Sequence, residues 1–281
     1  MPSRCHPRAG ATVNAVDYRG RTTLITGASS GLGAEFARRL AARGSDLVLV
    51  ARREDRLKAL AAQLSAAHAV KVEVIAMDLS VEGCGELLAA EVERRGITVS
   101  SVVNNAGFGT YGRFHLEDPQ RLRQEVALDV MAVVDISRAF IGPLRSRGEG
   151  VLVNVASVAG YQPVPNMAVY GAAKAFVLSF TEALWQESRS TGLRVLALSP
   201  GATKTEFFEV VGSEDAASGT KMQTSEQVVR TALKALDRRN PAPSVISGTM
   251  NRVMAFSGRL ASRRTVVKMV DRMSSPRRAS V

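Results

Sequence analysis

Residues 22–45, TTLITGASSGLGAEFARRLAARGS, decide the fold. The stretch opens as a short β-rich run, turns at Gly27 and continues with apolar positions at helical spacing until Gly44 stops it. Gly27, Gly31 and Gly33 stand directly behind the strand and open the helix. Glycine permits the tight turn and the close approach of backbone to a pyrophosphate, and a helix N-terminus favours that negative charge. The first two glycines lie four apart rather than two, so the spacing departs from the GxGxxG fingerprint. The strand–turn–helix setting therefore carries the reading, with Ser29, Ser30 and Leu32 in the same turn as further ligand-facing candidates.

The alternation of strand and helix continues outward from this unit. DLVLVARR (46–53), KVEVIAMDLS (71–80), VSSVVNNAG (99–107), GVLVNVASVAG (150–160) and LRVLALSPG (193–201) read as strands, and PSVISG (243–248) as a short last one. REDRLKALAAQLSAAH (53–68), GCGELLAAEVERRG (83–96), the long stretch 119–147 and AVYGAAKAFVLSFTEALWQESRSTG (168–192) read as helices. Strands this rich in Val, Ile and Leu need no polar side when helices cover both faces of a parallel sheet. The fold class is α/β: a single-domain, Rossmann-like, doubly wound parallel sheet with helices on both faces. Ligands of such sheets bind beyond the carboxyl ends of the strands. Residues 1–19 read as a loose extension without the apolar core of a secretory signal, 20–250 as the catalytic domain, and 251–281 as a basic amphipathic extension.

Composition excludes several classes. The 281 residues are 46% hydrophobic, enough for a sizeable core, and no apolar run is long enough to span a bilayer. Cys5 and Cys84 make no disulfide framework, which fits a cytoplasmic setting. His6, His68 and His115 are not clustered with cysteines, so no metal site is expected. Of the net charge of +11, residues 251–281 contribute eight Arg or Lys against one Asp. No nucleic-acid motif accompanies this tail, and nucleic acid is not an expected partner. A solvated basic surface and peripheral contact with anionic lipid both fit it.

The end of the second strand separates the nicotinamide cofactors: an acidic residue there suits the ribose of NAD, a basic one the 2′-phosphate of NADP. LVARRED places Arg52 and Arg53 at that point, with Arg52 the first choice and Arg53 assisting. NADP(H) is the expected cofactor; NAD would turn attention to Glu54 or Asp55, which come slightly late. Asp78 is placed to accept from an adenine amine, with Leu79 packing near the ring. NNAG (104–107) brings Asn104, Asn105, Ala106 and Gly107 toward the cofactor, although an Asn side chain at Asn104 can equally stabilise its own turn.

Reducing a ketone requires a hydride, a proton and a donor close to the developing oxyanion. Tyr170 can give its phenolic proton, Lys174 lies one helical turn later on the same face, and Ser157 can hold the carbonyl oxygen. A cation beside a phenol favours its ionised form. With TGASSGLG, NNAG, Ser157 and YGAAK together, the sequence resembles the classical short-chain dehydrogenase/reductase family from about Gly20 to Gly248. The resemblance implies that Tyr170 is the acid in reduction and the base in oxidation. It also implies that Lys174 binds the nicotinamide ribose and lowers the tyrosine pKa, and that Ser157 orients the reacting oxygen. SPGATKT resembles the turn after strand six, where Pro200, Gly201, Thr203 and Thr205 would seat the nicotinamide end. Dimers or tetramers are implied, pairing through long helices at 115–145 and 169–190.

One position departs from the family. An asparagine usual after NNAG, which supports a water relay to the lysine, is Asp129 here. The expectation is a working but altered relay, with Asp129 favouring the charged lysine. In the family arrangement GYQPVPNMAVY (160–170) would line one wall of the pocket, with Phe207, Phe208 and Val210 from a lid-like loop at 203–225, which implies a fairly apolar substrate; packing of these residues against neighbouring helices is the alternative. The alternative to an NADP(H)-dependent oxidoreductase for a ketone or aldehyde is a nucleotide-binding regulatory or scaffold protein with weak turnover.

Overall fold

Continuous β-branched and leucine-rich runs form the centre of the molecule because both of their faces are covered. In the computed structural model, which describes residues 15–212, 222–258 and 261–274, seven parallel strands run in the order β3-β2-β1-β4-β5-β6-β7. They are β1 (Thr22–Thr26), β2 (Asp46–Ala51), β3 (Val72–Ala76), β4 (Val99–Asn104), β5 (Val151–Val155), β6 (Arg194–Ser199) and β7 (Ser244–Ile246). β4 and β5 are buried at every residue, whereas the edge strand β3 alternates. The order reverses between β1 and β4, which creates the crevice where such sheets take ligands.

Helices α1 (Gly31–Ala41), α2 (Glu54–His68), α3 (Cys84–Arg94), α5 (Ala132–Arg147), α6 (Ala168–Glu187) and α8 (Ser225–Leu236) cover the sheet. One cluster packs Phe36, Leu40, Leu57 and Val228 on one face; the other packs Leu88, Ile136, Phe140 and Leu144 on the opposite face. α8 begins with a capping box between Thr224 and Gln227, worth about 1 kcal/mol.

Three boundaries differ from expectation. The folded body begins before Gly20: the Tyr18 ring is buried in the core beside Arg43. The helix expected at 115–145 is α4 (Pro119–Val126), a π-turn over Ala127–Met131 and α5, preceded by a 3-10 turn (Phe114–Leu116) that holds His115. The expected irregular loop after Thr203 contains a short helix, α7 (Phe207–Val211); residues 213–221 of that candidate lid lie outside the described residues. After β7 come α9 (Thr249–Ser257) and α10 (Arg263–Ser274), which return to the carboxyl edge of the sheet and join the wall of the central cavity. Cys84 is buried and free, and Cys5 lies outside the described residues.

Candidate active site

A cavity of about 630 Å³ opens at the carboxyl ends of β1, β2, β4, β5 and β6. At one end lies the glycine turn. Gly27 has φ +65°, which an L side chain rarely adopts, and a Cβ there would lie 2.8 Å from Asn105 Nδ2. Gly33 does not line the cavity: a Cβ at this position would lie 2.3 Å from Gly27 O, so its smallness lets α1 close against the turn. The expectation that Gly33 faces the cofactor is thereby corrected. Ser30 starts α1 without a side-chain capping bond, so its hydroxyl does not compete for the first-turn amides that a pyrophosphate would use. The turn, the uncapped helix start and the basic residues beside them fit a dinucleotide.

Arg52 and Arg53 separate sharply. Arg52 is exposed at the cavity rim. Arg53 is drawn across the turn, donating to Ser29 Oγ (3.0 Å from Nη2), Ser30 Oγ (2.9 Å) and Glu206 (2.8 Å). Both arginines line the cavity, and Arg53 is the guanidinium fixed beside the glycine turn. Asp78 accepts from Ser80 N (2.9 Å) and Ser80 Oγ (2.7 Å), and these bonds hold its carboxyl below the usual range. Leu79 is buried against the same wall.

The paired asparagines also divide. Asn104 was a cofactor candidate, but it is buried and donates to Ser137 Oγ (3.2 Å) and Asn154 Oδ1 (2.9 Å). Asn154 continues the chain to Thr181 (2.9 Å), so this is a polar tie across β4, β5 and α6. Asn105 faces the cavity and fixes the glycine turn by donating to Thr26 O (2.9 Å). Ala106 and Gly107 line the cavity beside it, and Pro200, Gly201, Thr203 and Thr205 line the opposite side.

Ser157, Tyr170 and Lys174 meet at the centre. Ser157 follows β5 and lines the cavity together with Tyr170, where its hydroxyl favours the ionised phenol. Tyr170 and Lys174 share one face of α6, with the ammonium 5.6 Å from the ring centroid. Lys174 is buried, donates to Val155 O (3.2 Å) and pairs with Asp129 Oδ2 at 2.8 Å. Asp129 is wholly buried in the π-turn, and its other oxygen accepts from Phe108 N at 2.9 Å. Asp129 therefore acts on the site through Lys174 and does not itself line the cavity. Burial pushes the Tyr170 phenol up from its ordinary value; Lys174 opposes that rise and Asp129 adds to it. The lysine is held above its ordinary value because the attraction of Asp129 and the other anionic groups overcomes desolvation.

Two groups were not anticipated. Glu125, fully buried on α4, accepts from Thr110 Oγ1 at 2.7 Å, and burial raises its carboxyl to about 7. Glu206 lines the cavity next to α7. Neither carries a pattern in sequence that distinguishes it from a solvated glutamate. Much of the remaining lining is apolar, with Val164, Phe207 and Phe208 and, from α9 and α10, Met254, Val266 and Val270, alongside the polar Arg121, Gln124, Gln162 and Asn251. The Phe207 ring lies 5.3 Å from that of Tyr170. Among the described residues no cluster of His, Cys, Asp and Glu is arranged to hold a metal, and no helix is long and apolar enough to cross a membrane.

Comparison with known proteins agrees with this geometry. The family model described as short chain dehydrogenase matches residues 21–216. Sulfoacetaldehyde reductase 2 of Chromohalobacter salexigens is 38% identical over 199 residues, which span 69% of this chain and 78% of that protein. Among solved structures, a short-chain dehydrogenase from Sphingobium yanoikuyae in complex with NADPH is 33% identical, with a TM-score of 0.76 over 93% of this chain and 98% of that one. The bulky-bulky ketone specific alcohol dehydrogenase from Comamonas testosteroni is 30% identical, with a TM-score of 0.72 over 93% and 96%. With the glycine turn, the serine–tyrosine–lysine centre and the sheet order all in place, the chain belongs to the short-chain dehydrogenase family of oxidoreductases.

Proposed function

We propose that the protein is an NADP(H)-dependent oxidoreductase interconverting a bulky, largely apolar ketone or aldehyde and its alcohol. One observation carries the reading: a single cavity joins the Arg53 end of the glycine turn to Tyr170 and then to an apolar chamber. NADPH, when bound, supplies a hydride to the carbonyl carbon. The chain's own residues supply the rest. Ser157 holds the carbonyl oxygen, the Tyr170 hydroxyl passes its proton to the oxygen as negative charge develops, and Lys174 stabilises the phenolate left behind. In oxidation the same phenolate takes the alcohol proton. Arg53, flanked by Ser29 and Ser30, is the seat for the 2′-phosphate, with Arg52 beside it.

The chamber's apolar walls suit a substrate of the kind named for the Comamonas enzyme better than the small sulfonated aldehyde named for the Chromohalobacter relative. The decisive experiment is a titration with NADPH and NADH followed by a screen of carbonyl substrates with the wild type and Tyr170→Phe. Tighter NADPH binding, with turnover lost about 10²–10⁴-fold in the variant at unchanged NADPH affinity, supports the reading. Cofactor binding without turnover in either protein across the carbonyl panel favours a nucleotide-binding scaffold.

Self-association belongs to the same proposal. Met131, at the end of the π-turn before α5, and Phe176, on α6, are 53% and 42% exposed, and Phe176 stacks on Phe180. Such a surface suits pairing between copies, which equilibrium sedimentation tests. Peripheral contact with anionic lipid is a second reading, favoured by the exposed Met250 (71%) and Val253 (59%) of α9 and by Arg263, Arg264 and Lys268 of α10. Cosedimentation with anionic vesicles tests it.

A further inference from the structure

Glu206 is an acidic side chain drawn into the basic corner of the cofactor cavity, where it pairs directly with arginine. Its carboxylate lies 2.8 Å from Arg53 Nη1 and 2.5 Å from Arg56 Nη1. The other side of the Arg53 guanidinium is occupied by the hydroxyls of Ser29 and Ser30. Arg53 thus has its planar fork spread over three side chains, and the only anion among them is Glu206. A phosphate monoester recognised by Arg53, Ser29 and Ser30 would bring nearly two negative charges to the place where one carboxylate now sits. A phosphate on the same guanidinium would lie against the Glu206 carboxylate, and like charges in contact repel.

The position of Glu206 gives that competition a consequence. Glu206 immediately precedes α7, and Phe207, the first residue of the helix, meets Tyr170. At the far end of α7, Val210 O accepts from Arg121 at 2.6 Å. Arg56 lies on α2 and Arg53 is the residue preceding it. The Glu206 ion pairs therefore tie the start of α7 to the start of α2, across the mouth of the cofactor site.

We propose that Glu206 occupies the 2′-phosphate seat on Arg53 in the free protein, making it a specificity-determining residue that NADPH displaces and NADH does not. Displacement moves the anchor of α7 from Arg53 to Arg56 alone, so the helix bearing Phe207 is held differently in the two complexes. The inference rests on the assignment of Arg53 to the phosphate. The ion pairs are partly exposed, with side chains 40%, 47% and 34% accessible for Arg53, Arg56 and Glu206. The expected effect is correspondingly modest.

The test compares wild type, Glu206→Gln and Arg53→Ala by NADPH and NADH titration. It adds hydrogen exchange of residues 206–211 in wild type and Glu206→Gln. Glu206→Gln should bind NADPH about two- to fivefold more tightly, the range set by partly exposed ion pairs, with NADH affinity unchanged. Exchange in α7 should be faster in Glu206→Gln than in wild type for the free and NADH-bound proteins, and the difference should narrow once NADPH is bound, when wild type keeps only the Arg56 pair. Arg53→Ala should weaken NADPH far more than NADH. If it does not, the phosphate seat is misassigned and the inference falls with it. If Arg53→Ala behaves as expected but Glu206→Gln leaves NADPH binding unchanged, or tightens both cofactors equally, the phosphate seat stands and the role of Glu206 is refuted.

Discussion

Replacing Glu125 by glutamine isolates the buried acid beneath the active site. Glu125 is fully buried, and its carboxyl stands at about 7 against an ordinary 4.5, chiefly through desolvation, with the negative charge of Asp129 adding to the rise. Between those two values the folded protein binds more protons than the unfolded chain. Linkage then requires stability to fall as pH rises through the window, with the loss absent below it and complete above it. The span from 4.5 to about 7 corresponds to about 3 kcal/mol in total. About 2–3 kcal/mol of this falls between pH 5 and pH 8. Glutamine keeps an oxygen to accept from Thr110 but has no proton to lose. Urea unfolding of both proteins at pH 5 and pH 8 should show the variant gaining about 2–3 kcal/mol on the wild type across that interval. A gap between the two proteins that does not change with pH would refute the claim that Glu125 is held neutral by its burial.

Two further substitutions probe the turn and the ion pair. Gly33→Ala puts a Cβ 2.3 Å from Gly27 O, a backbone atom that cannot step aside. It should cost about 1–3 kcal/mol and weaken NADPH binding, read by thermal unfolding and cofactor titration; wild-type affinity would show that the turn tolerates displacement from α1. Asp129→Asn leaves Lys174 a buried cation without its carboxylate, for about 3–5 kcal/mol. Thermal unfolding should therefore drop by roughly 6–20 °C, and an unchanged midpoint would mean that the pair contributes no charge interaction.

How much of this was legible in sequence depends on whether a residue's role is local. The glycine turn, the alternation of strand and helix, and the meeting of Ser157, Tyr170 and Lys174 follow from short-range spacing, and the structure has them together. Asn104 and Asn105 are adjacent and chemically identical; only their strand register tells them apart. Asn104 is the last residue of β4 and pairs across to Asn154 on β5, whereas Asn105 lies just beyond the strand. Arg52 and Arg53 pose the same problem: only the folded glycine turn shows Ser29 and Ser30 within reach of Arg53. Glu125 sits in PQRLRQEV, a segment so polar that its one inward-facing acid is indistinguishable from the solvated ones. Glu206 depends on a contact with α2 some 150 positions earlier in the chain, which no local pattern encodes. Tyr18 and the cavity-facing side of α10 were hidden for the same reason: their partners are distant in sequence.

Asp129 changes the electrostatics of the centre more than its single-atom difference from asparagine suggests. An amide would leave the ammonium to be satisfied by water and carbonyl groups. The carboxylate instead grips Lys174 directly, and through Phe108 N it ties the same oxygen pair to the loop that lines the cavity. This holds the lysine charged, but it also places a negative charge that opposes ionisation of Tyr170. Lys174 lowers the phenol more strongly than Asp129 raises it, so the pair together still favours the phenolate. Glu125 sets how far that balance holds. While it is protonated, one carboxylate faces one ammonium and the phenol senses the cation beside it. Once it ionises, a second negative charge enters the cluster, and that charge too raises the Tyr170 phenol. The buried acid thus works against the alkaline conditions that would otherwise help Tyr170 act as a base, and it does so from a position that never touches the substrate cavity.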